Sequence, residues 1–414
     1  MNRIELRIKA VSPLAIGRRK PGGSISEVED YIPGTVIRGA IAGQILRESG
    51  RGSEDLATQG GDFESLFLSD QPAIFQNAYP AILAIKNQPR TIDIFCLPAT
   101  ALSSKTNPGF TTKKGADGAF DTLIDRFCAE SYGYPHDPCT LKGERVDNFS
   151  GFYCRVKDRY FTPSTSKRLL TRVGINRRRA TAEDDILYSI EVLNESKLIK
   201  DEPVVYKSAI LLPDEQLAGH LQQYIRDRAT SFRLGGSISR GLGAVEIITE
   251  PPAKIKFDVQ ARIHQFNKTL NERWEGWRRV FRTPLTDVVT NRTFFTLSFQ
   301  ADAILAENWQ RTMVISETML KQFAGVQDES LQLHASYSSY DYRGGWNAAW
   351  GLMKDIELVT NKGSVYLFST TNPNAWWQAL SNLELKGVGE RTSEGFGQVR
   401  VCDEFHLIFR EAAK

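Results

Sequence analysis

Two glycine-rich segments, far apart in the chain, carry the same Gly-x-Gly pattern. One is Arg240-Gly241-Leu242-Gly243 before Ala244-Val245; the other is Glu394-Gly395-Phe396-Gly397 before Gln398-Val399. Superposing the two aligns both glycines and the following valine. The longer runs around them, Leu234 to Val245 and Lys386 to Val399, each fall between the last expected helix and the last expected strand of one half of the chain. An internal repeat is the economical account. It suits the length, since 414 residues exceed one ordinary domain of roughly 150.

The periodicity of the first half supplies the repeating unit. Arg3 to Ala10 alternates charged and apolar residues, as a strand with one buried face does. After Ile32-Pro33-Gly34, the residues Ile37, Ile41 and Ile45 recur at helical spacing. Ile186–Leu193 and Val204–Leu212 read as strands, Glu215–Ile225 as a helix, and Ala244–Ile248 as a last strand. Residues from about 51 to 160 are rich in Gly, Asp, Pro and Ser without sustained periodicity, and we read them as a long insertion. Without it the order is strand, helix, strand, strand, helix, strand, the ferredoxin-like order shared with RNA-recognition modules.

Pro251-Pro252 breaks the chain, and Phe257 to Val280 predicts a linking helix with Ile263, Phe266, Leu270, Trp274 and Trp277 on one face. The second half restarts with strand 293–299 and continues with strand 365–369, a helix from Asn374 to about Leu383, and a strand near 398–401. The expected fold is therefore α+β: two ferredoxin-like (RRM-like) domains with glycine-rich loops. The first covers 1–250 with its insertion, the linking helix 251–290, and the second domain 291–414.

Composition narrows the function. Hydrophobic residues make up 41% and charged residues 24%, as in globular proteins, which excludes wholesale disorder, collagen-like repeats and a coiled-coil rod. There is no run of about 18 apolar residues, and the opening Met1-Asn2-Arg3-Ile4-Glu5 lacks the order of a secretory signal, so a cytoplasmic location is expected. Lys and Arg exceed Asp and Glu by only 3 (52 against 49), so a polyanion site must come from local clustering. Five Cys without an export signal point to free thiols or a metal site rather than a disulfide framework.

Clustering is strongest at Lys167-Arg168-Leu169-Leu170-Thr171-Arg172-Val173-Gly174-Ile175-Asn176-Arg177-Arg178-Arg179, six cations without an acid. Arginine interleaved with Asn and apolar residues suits phosphate clamping and base stacking, and points to RNA. The competing reading is a solvated loop paired with Glu183-Asp184-Asp185. In the glycine loops, glycine permits positive φ and close backbone approach, and exposed N–H groups there could bind phosphate. Neither loop is a nucleotide-binding P-loop, because the Gly-Lys-Ser/Thr ending is absent and neither leads from a strand into a helix. The second loop carries Glu390 and Glu394, so it is either structural, in contact with a protein partner, or turned with its acids away from phosphate.

Cys96, Cys128, His136, Cys139 and Cys154 could staple the insertion around a structural zinc ion. Alternatively Cys96 and Cys154 are small buried hydrophobes. The scattered histidines mark no catalytic dyad; Asp30, just before the first helix, is the one candidate acid for catalysis, and a capping role is its alternative. Tyr337, Tyr340, Tyr342, Trp346 and Trp350 around Arg343-Gly344-Gly345 could stack on unpaired bases or pack an interface.

The paired glycine loops resemble the RAMP superfamily of CRISPR systems, as do Ser12-Pro13-Leu14-Ala15-Ile16-Gly17, Ile32-Pro33-Gly34-Thr35-Val36-Ile37-Arg38-Gly39 and Arg172-Val173-Gly174-Ile175-Asn176-Arg177. The length, the two halves and Phe149-Ser150-Gly151-Phe152-Tyr153 most resemble the large RAMP subunit of type III-D effector complexes. That resemblance implies a protein that holds the 5′ handle of a guide RNA and contacts other RAMP subunits and the large subunit, binding RNA without a required cofactor. It places Arg38, the segment from Arg172 to Arg179 and the first glycine loop along the RNA path.

The full set of candidate RNA contacts is Arg18, Arg19, Lys20, Arg38, Lys167, Arg168, Arg172, Asn176, Arg177, Arg178, Arg179, Arg233, Gly235, Gly236, Ser237, Arg240, Gly241, Gly243, Lys386, Gly387, Gly389 and Arg391. Two enzymatic alternatives remain at this stage. One is a backbone RAMP subunit cutting target RNA with an acid such as Asp30 and a divalent ion. The other is a metal-independent endoribonuclease that processes the CRISPR transcript.

Overall fold

The computed structural model describes residues 1–18, 27–49, 62–82, 92–176, 181–196, 202–255, 258–281, 284, 288–347 and 351–414. Asn2–Ala10 forms the expected strand, buried at every second position. Ile4, Leu6 and Ile8 face a core shared with Tyr206, Ile210 and Leu212 of the strand Val205–Leu212. That core is closed by Ile37 and Ile41 of the helix Gly34–Ser49 and by Ala218, Leu221 and Ile225 of the helix Glu215–Asp227. Asp214 starts the latter helix by accepting a hydrogen bond from the Leu217 N–H at 2.6 Å.

The first sheet is antiparallel, with Asn2–Ala10 between Val245–Thr249 and Val205–Leu212. Its second strand differs from the sequence reading. Ile74–Phe75 and Tyr79–Ala81, inside the expected insertion, pair with Val205–Leu212. Two short pieces interrupted by Gln76, Asn77 and Ala78 and carrying Pro80 leave no alternation to detect. Ile186–Leu193, read as that strand, belongs instead to a long hairpin of Lys167–Asn176 with Thr181–Leu193. Alternation identifies a strand but not its partner.

The second sheet runs Gln332–Tyr337, Val365–Thr370, Thr293–Phe299, Val399–Val401, again antiparallel. A hairpin of Tyr340–Asn347 with Leu352–Thr360 leaves it at the same point, between the second and third strands. Thr293–Phe299 is buried at nearly every position because both faces are covered, its Thr296 and Ser298 included.

One cover is the linking helix, Val259–Phe281, whose Ile263, Phe266, Leu270 and Trp274 enter the second core while Trp277 is partly buried. At about 1.5–3 kcal/mol per large side chain buried, that seam outweighs the helix's polar outer face. The helix Leu123–Ser131 joins it: Leu123, Ile124, Phe127 and Cys128 pack into this second core. Much of the segment read as a loop-like insertion is thus packed structure, serving the half of the chain that follows it. Among the described residues no helix is long and apolar enough to cross a membrane.

Candidate nucleic-acid interface

The two glycine loops have one geometry. Gly235, Ser237, Gly241 and Gly243 take φ of 88°, 56°, 83° and 85°; Gly389, Arg391, Gly395 and Gly397 take 82°, 55°, 94° and 65°. In each, an N–H donates back across the bend, from Leu234 to the Gly243 carbonyl and from Val388 to the Gly397 carbonyl, both at 2.8 Å. Gly236 donates to Ala15 and Glu390 to Ile304 at 2.8 and 3.0 Å.

Glycine is required at these bends by contact as well as by φ. A Cβ on Gly235 or Gly243 would lie 2.6 Å from a carbonyl oxygen, of Ala15 and Leu234 respectively. Part of the set of loop N–H groups that the sequence offers to phosphate is already committed. Leu234, Gly236, Arg240, Gly241, Leu242 and Gly243 all donate within the fold, so these loops mainly let backbones approach.

The surroundings of the two loops differ. Gly395 is docked: its Cβ position faces the Phe75 carbonyl and Asn77 Oδ1, each at 2.8 Å, and the Gly34 Cα at 3.2 Å. Asn77 holds the junction, accepting from the Gly34 N–H at 2.8 Å and donating to the Gly395 carbonyl at 3.2 Å. The second loop therefore seats on the start of the first helix. Its Glu394 accepts from Arg391 at 2.6 Å and lies 3.4 Å from Lys354 Nζ.

Arg38 belongs to this cluster. It donates to the Phe67 carbonyl at 2.8 Å and lies over the Phe67 ring. Burial lowers the Arg38 pKa, with the Arg391 charge adding and Glu394 opposing. Burial works to raise the Glu394 pKa, but Arg391, Lys354 and Arg38 hold it below the usual carboxylate range. Three cations thus share one carboxylate between the halves.

Gly241, by contrast, is exposed with nothing near its Cβ position, and Ile238 beside it is 48% exposed. This loop lies under the first hairpin, where Leu242, Ala15 and Val192 pack with Leu170 and Ile190. The Arg240 guanidinium lies 5.1 Å from the Tyr188 ring centroid. Arg172 is the cross-strand partner of Tyr188, so it projects from the same face. Among the residues whose side chains are described, which leave out 174–187, neither Arg172 nor Arg240 has an ion-pair partner, whereas Arg168 pairs with Glu195 at 2.9 Å.

Other expected contacts have structural uses. Lys167 donates to the Val28 carbonyl, and Arg233 to those of Thr230 and Phe232 at 3.0 and 2.8 Å. Lys386 is exposed in the last turn of its helix, and Gly387 is pressed on the Gly397 carbonyl. Gly17–Arg18 forms a two-residue strand with Glu27–Val28. Asn176 pairs with Thr181 through the backbone. Arg19, Lys20, Arg177, Arg178, Arg179 and Trp350 lie outside the described residues.

Arg343, in the aromatic run, is turned inward: it pairs with Asp302 at 2.6 Å and with Glu29. Tyr340 and Tyr342 remain exposed, while Tyr337 packs on the second core and under Arg126. Tyr188 and Lys354 went unnoticed in the sequence. Only the pairing with Arg172 singles out Tyr188, and only the docking of the second loop brings in Lys354.

The five residues expected around zinc do not converge. Among the described residues no three of His, Cys, Asp or Glu are placed to hold a metal ion. Cys96 Sγ donates to the Gln300 carbonyl at 3.1 Å, Cys128 faces the second core, and Cys154 is buried in the strand Phe152–Val156. Burial pushes the Cys96 and Cys128 thiols up to about 12 and Cys154 to about 11, as for small buried hydrophobes. Cys139 accepts from Arg410 at 3.8 Å, and His136 is half-exposed.

Asp30 is half-exposed and its carbonyl accepts from Thr165 at 3.5 Å; Asn77, not Asp30, caps the first helix. His406 forms a chain that the sequence did not show. Its Nε2 lies 2.9 Å from Ser298 Oγ and its Nδ1 3.1 Å from Asp121 Oδ2. The order is that of an acyl-transfer triad, but Ser298, His406 and Asp121 are 1%, 1% and 2% exposed, so no substrate reaches it. It pins the insertion to the second sheet.

A model of the RAMP superfamily matches residues 7–246. Among solved structures, the chain is similar to a chain of the cryo-EM structure of the Type III-B Cmr-beta bound to cognate target RNA and AMPPnP, with 10% identity and a TM-score of 0.40, over 88% of this chain and 86% of that one. It is also similar to a chain of oligomeric Cmr4 from Pyrococcus furiosus, with 11% identity and a TM-score of 0.25, over 60% and 98%. No curated protein matches it.

Proposed function

Because the chain belongs to the RAMP superfamily, we propose that it is a non-catalytic RNA-binding subunit of a type III CRISPR effector complex, holding the 5′ handle of the guide RNA. The observation that carries the reading is Arg240 over the Tyr188 face, with Arg172 projecting beside it above an open glycine bend. Single strands are held by cations along the phosphates and by rings under the bases, and this face offers both. The common strand order and shared loop geometry of the halves support reading them as two ferredoxin-like units. Other RAMP subunits and the large subunit would be its neighbours in the cytoplasm, as in the III-D arrangement.

The test is guide-RNA binding by the intact protein across a salt series. An Arg172→Ala/Arg240→Ala variant, and separately an Arg177→Ala/Arg178→Ala/Arg179→Ala variant, should bind more weakly and with a flatter salt dependence, about 0.7 log unit per log unit of salt for each lost phosphate contact. Unchanged affinity and slope overturn the proposal.

A second reading, acid- and metal-dependent cutting of target RNA, is favoured by one observation: Asp30 sits half-exposed at the start of the first helix without serving as its cap. Guide-directed cutting that needs Mg²⁺ and is lost in Asp30→Ala would establish it. Cleavage of repeat RNA in EDTA would point instead to a transcript-processing enzyme.

A further inference from the structure

Among the described residues the most exposed large apolar side chain is Trp309: its relative exposure is 103%, and no other exceeds 70%. It stands at the tip of a short hairpin, Leu305–Glu307 with Gln310–Thr312, where Glu307 pairs with Gln310 and leaves a two-residue turn. Asn308 and Trp309 both take positive φ there, 49° and 66°. That is the turn whose twist suits a hairpin, and its second place favours glycine over any residue with a side chain. A bulky ring in the left-handed region works against the backbone. Trp309 buries nothing and opposes its own turn, so the fold of the free chain supplies no reason for it.

The stem beneath it is fixed. Leu305 is fully buried in the second core. Arg311 pairs with Glu357 at 2.8 Å and with Glu390 at 2.5 Å, the Ser316 hydroxyl donates to Glu307, and the Thr360 hydroxyl donates to the Thr312 carbonyl at 3.4 Å. A ring carried on a rigid stem enters a pocket with little loss of freedom, and Trp is among the residues that dominate interface energies.

An exposed indole can stack on a nucleobase or fill a pocket in a protein, and the surrounding charge separates the two. A platform for RNA comes with cations along the phosphates. Here Glu307, Glu357 and Glu390 stand around the single cation Arg311, which two of them already hold. Arg391, next to Glu390, turns instead to Glu394 at 2.6 Å. The excess at the tip is acidic; it repels a phosphate chain and attracts a basic surface. We propose that Trp309 is the anchor by which a neighbouring protein docks, its indole filling an apolar pocket whose rim carries Lys and Arg opposite Glu307, Glu357 and Glu390. The inference rests on the reading of the chain as a subunit of a larger complex, and it gives one contact of that assembly a place.

The experiment measures binding of the full chain to each of the other RAMP subunits and to the large subunit, purified singly, and then assembles all of them with guide RNA. One partner should bind the unchanged chain, more weakly as salt rises, and should lose at least about thirty-fold in affinity for Trp309→Gly. Photo-crosslinking from Trp309→p-benzoylphenylalanine in the assembled complex should label that same partner. Trp309→Gly gives the turn the residue it favours, so without a partner its thermal midpoint should be no lower than that of the unchanged chain, and its affinity for guide RNA should be the same. Crosslinks to RNA, unchanged partner affinity in Trp309→Gly, binding that does not weaken with salt, or a markedly lower thermal midpoint overturns the inference. If the unchanged chain neither binds guide RNA nor enters the complex, the subunit reading fails and the anchor with it. If it does both and Trp309→Gly enters the complex equally well, the anchor alone fails.

Discussion

Arg343, on the second hairpin, donates to the Asp302 carboxylate at 2.6 Å while its guanidinium also meets Glu29 of the first half. Both carboxylates are buried, with side chains 4% and 5% exposed. Removing the shared cation takes a counter-charge away from two buried carboxylates in the junction between the halves. Arg343→Met should therefore destabilise the chain by about 3–5 kcal/mol, read as a lower urea midpoint. A change below about 1 kcal/mol, the worth of a surface pair, would show that the junction is held elsewhere.

The two glycine bends offer a matched comparison. At Gly241 an alanine meets open space and only the left-handed backbone opposes it, at about 1–2 kcal/mol. At Gly397 the same substitution also drives Cβ into the Val388 carbonyl. Gly397→Ala should cost about 3 kcal/mol or more, clearly beyond Gly241→Ala. Equal denaturant midpoints would mean that the close approach at Gly397 relaxes without cost.

These bends also show what sequence could and could not disclose. Gly-x-Gly before a valine is local, and so are the alternation of Arg3 to Ala10 and the apolar stripe of the linking helix; all three became the elements they suggested. Partnership is not local. Ile186–Leu193 alternates as any strand does, and nothing within it says that Lys167–Asn176 rather than Val205–Leu212 is its neighbour. The same limit hid the interface. Arg240 and Tyr188 stand apart in the chain, and Lys354 reaches Glu394 only once the second loop has docked on the first helix. The Leu123–Ser131 helix carries Leu123, Ile124, Phe127 and Cys128 at the spacing of one helix face, but it is only nine residues long inside a stretch without sustained periodicity, and its partner lies in the second half.

Two histidines give opposite pH dependences. Burial works to lower the His406 pKa, but Asp121 outweighs it and raises the group above its ordinary 6.5. His406 then contributes stability that is fully present below pH 6.5 and is lost as pH rises through its folded value. His334 is the reverse: burial, helped by the Arg292 charge, pushes it down to about 4, so its contribution is full above pH 6.5 and is lost as pH falls towards 4. Denaturation midpoints measured from pH 4 to 8 should decline on both sides. His406→Gln should flatten the alkaline side and His334→Gln the acid side. Exchange of those two effects would reverse both assignments.

The proposed interface makes a sharper demand than loss of charge. Arg240 lies over the Tyr188 ring, and a guanidinium stacks on a ring and on a base where an ammonium does not. Arg240→Lys keeps the charge, so its salt slope should match that of the unchanged protein while its affinity for guide RNA falls. Tyr188→Ala, which removes the platform and no charge, should lose about 1–3 kcal/mol of binding, the scale of one stacked base, again with the slope kept. Arg240→Ala should lower both affinity and slope. If Arg240→Lys binds as the unchanged protein does and Tyr188→Ala has no effect, RNA meets this face through charge alone and the ring is only packing for the hairpin.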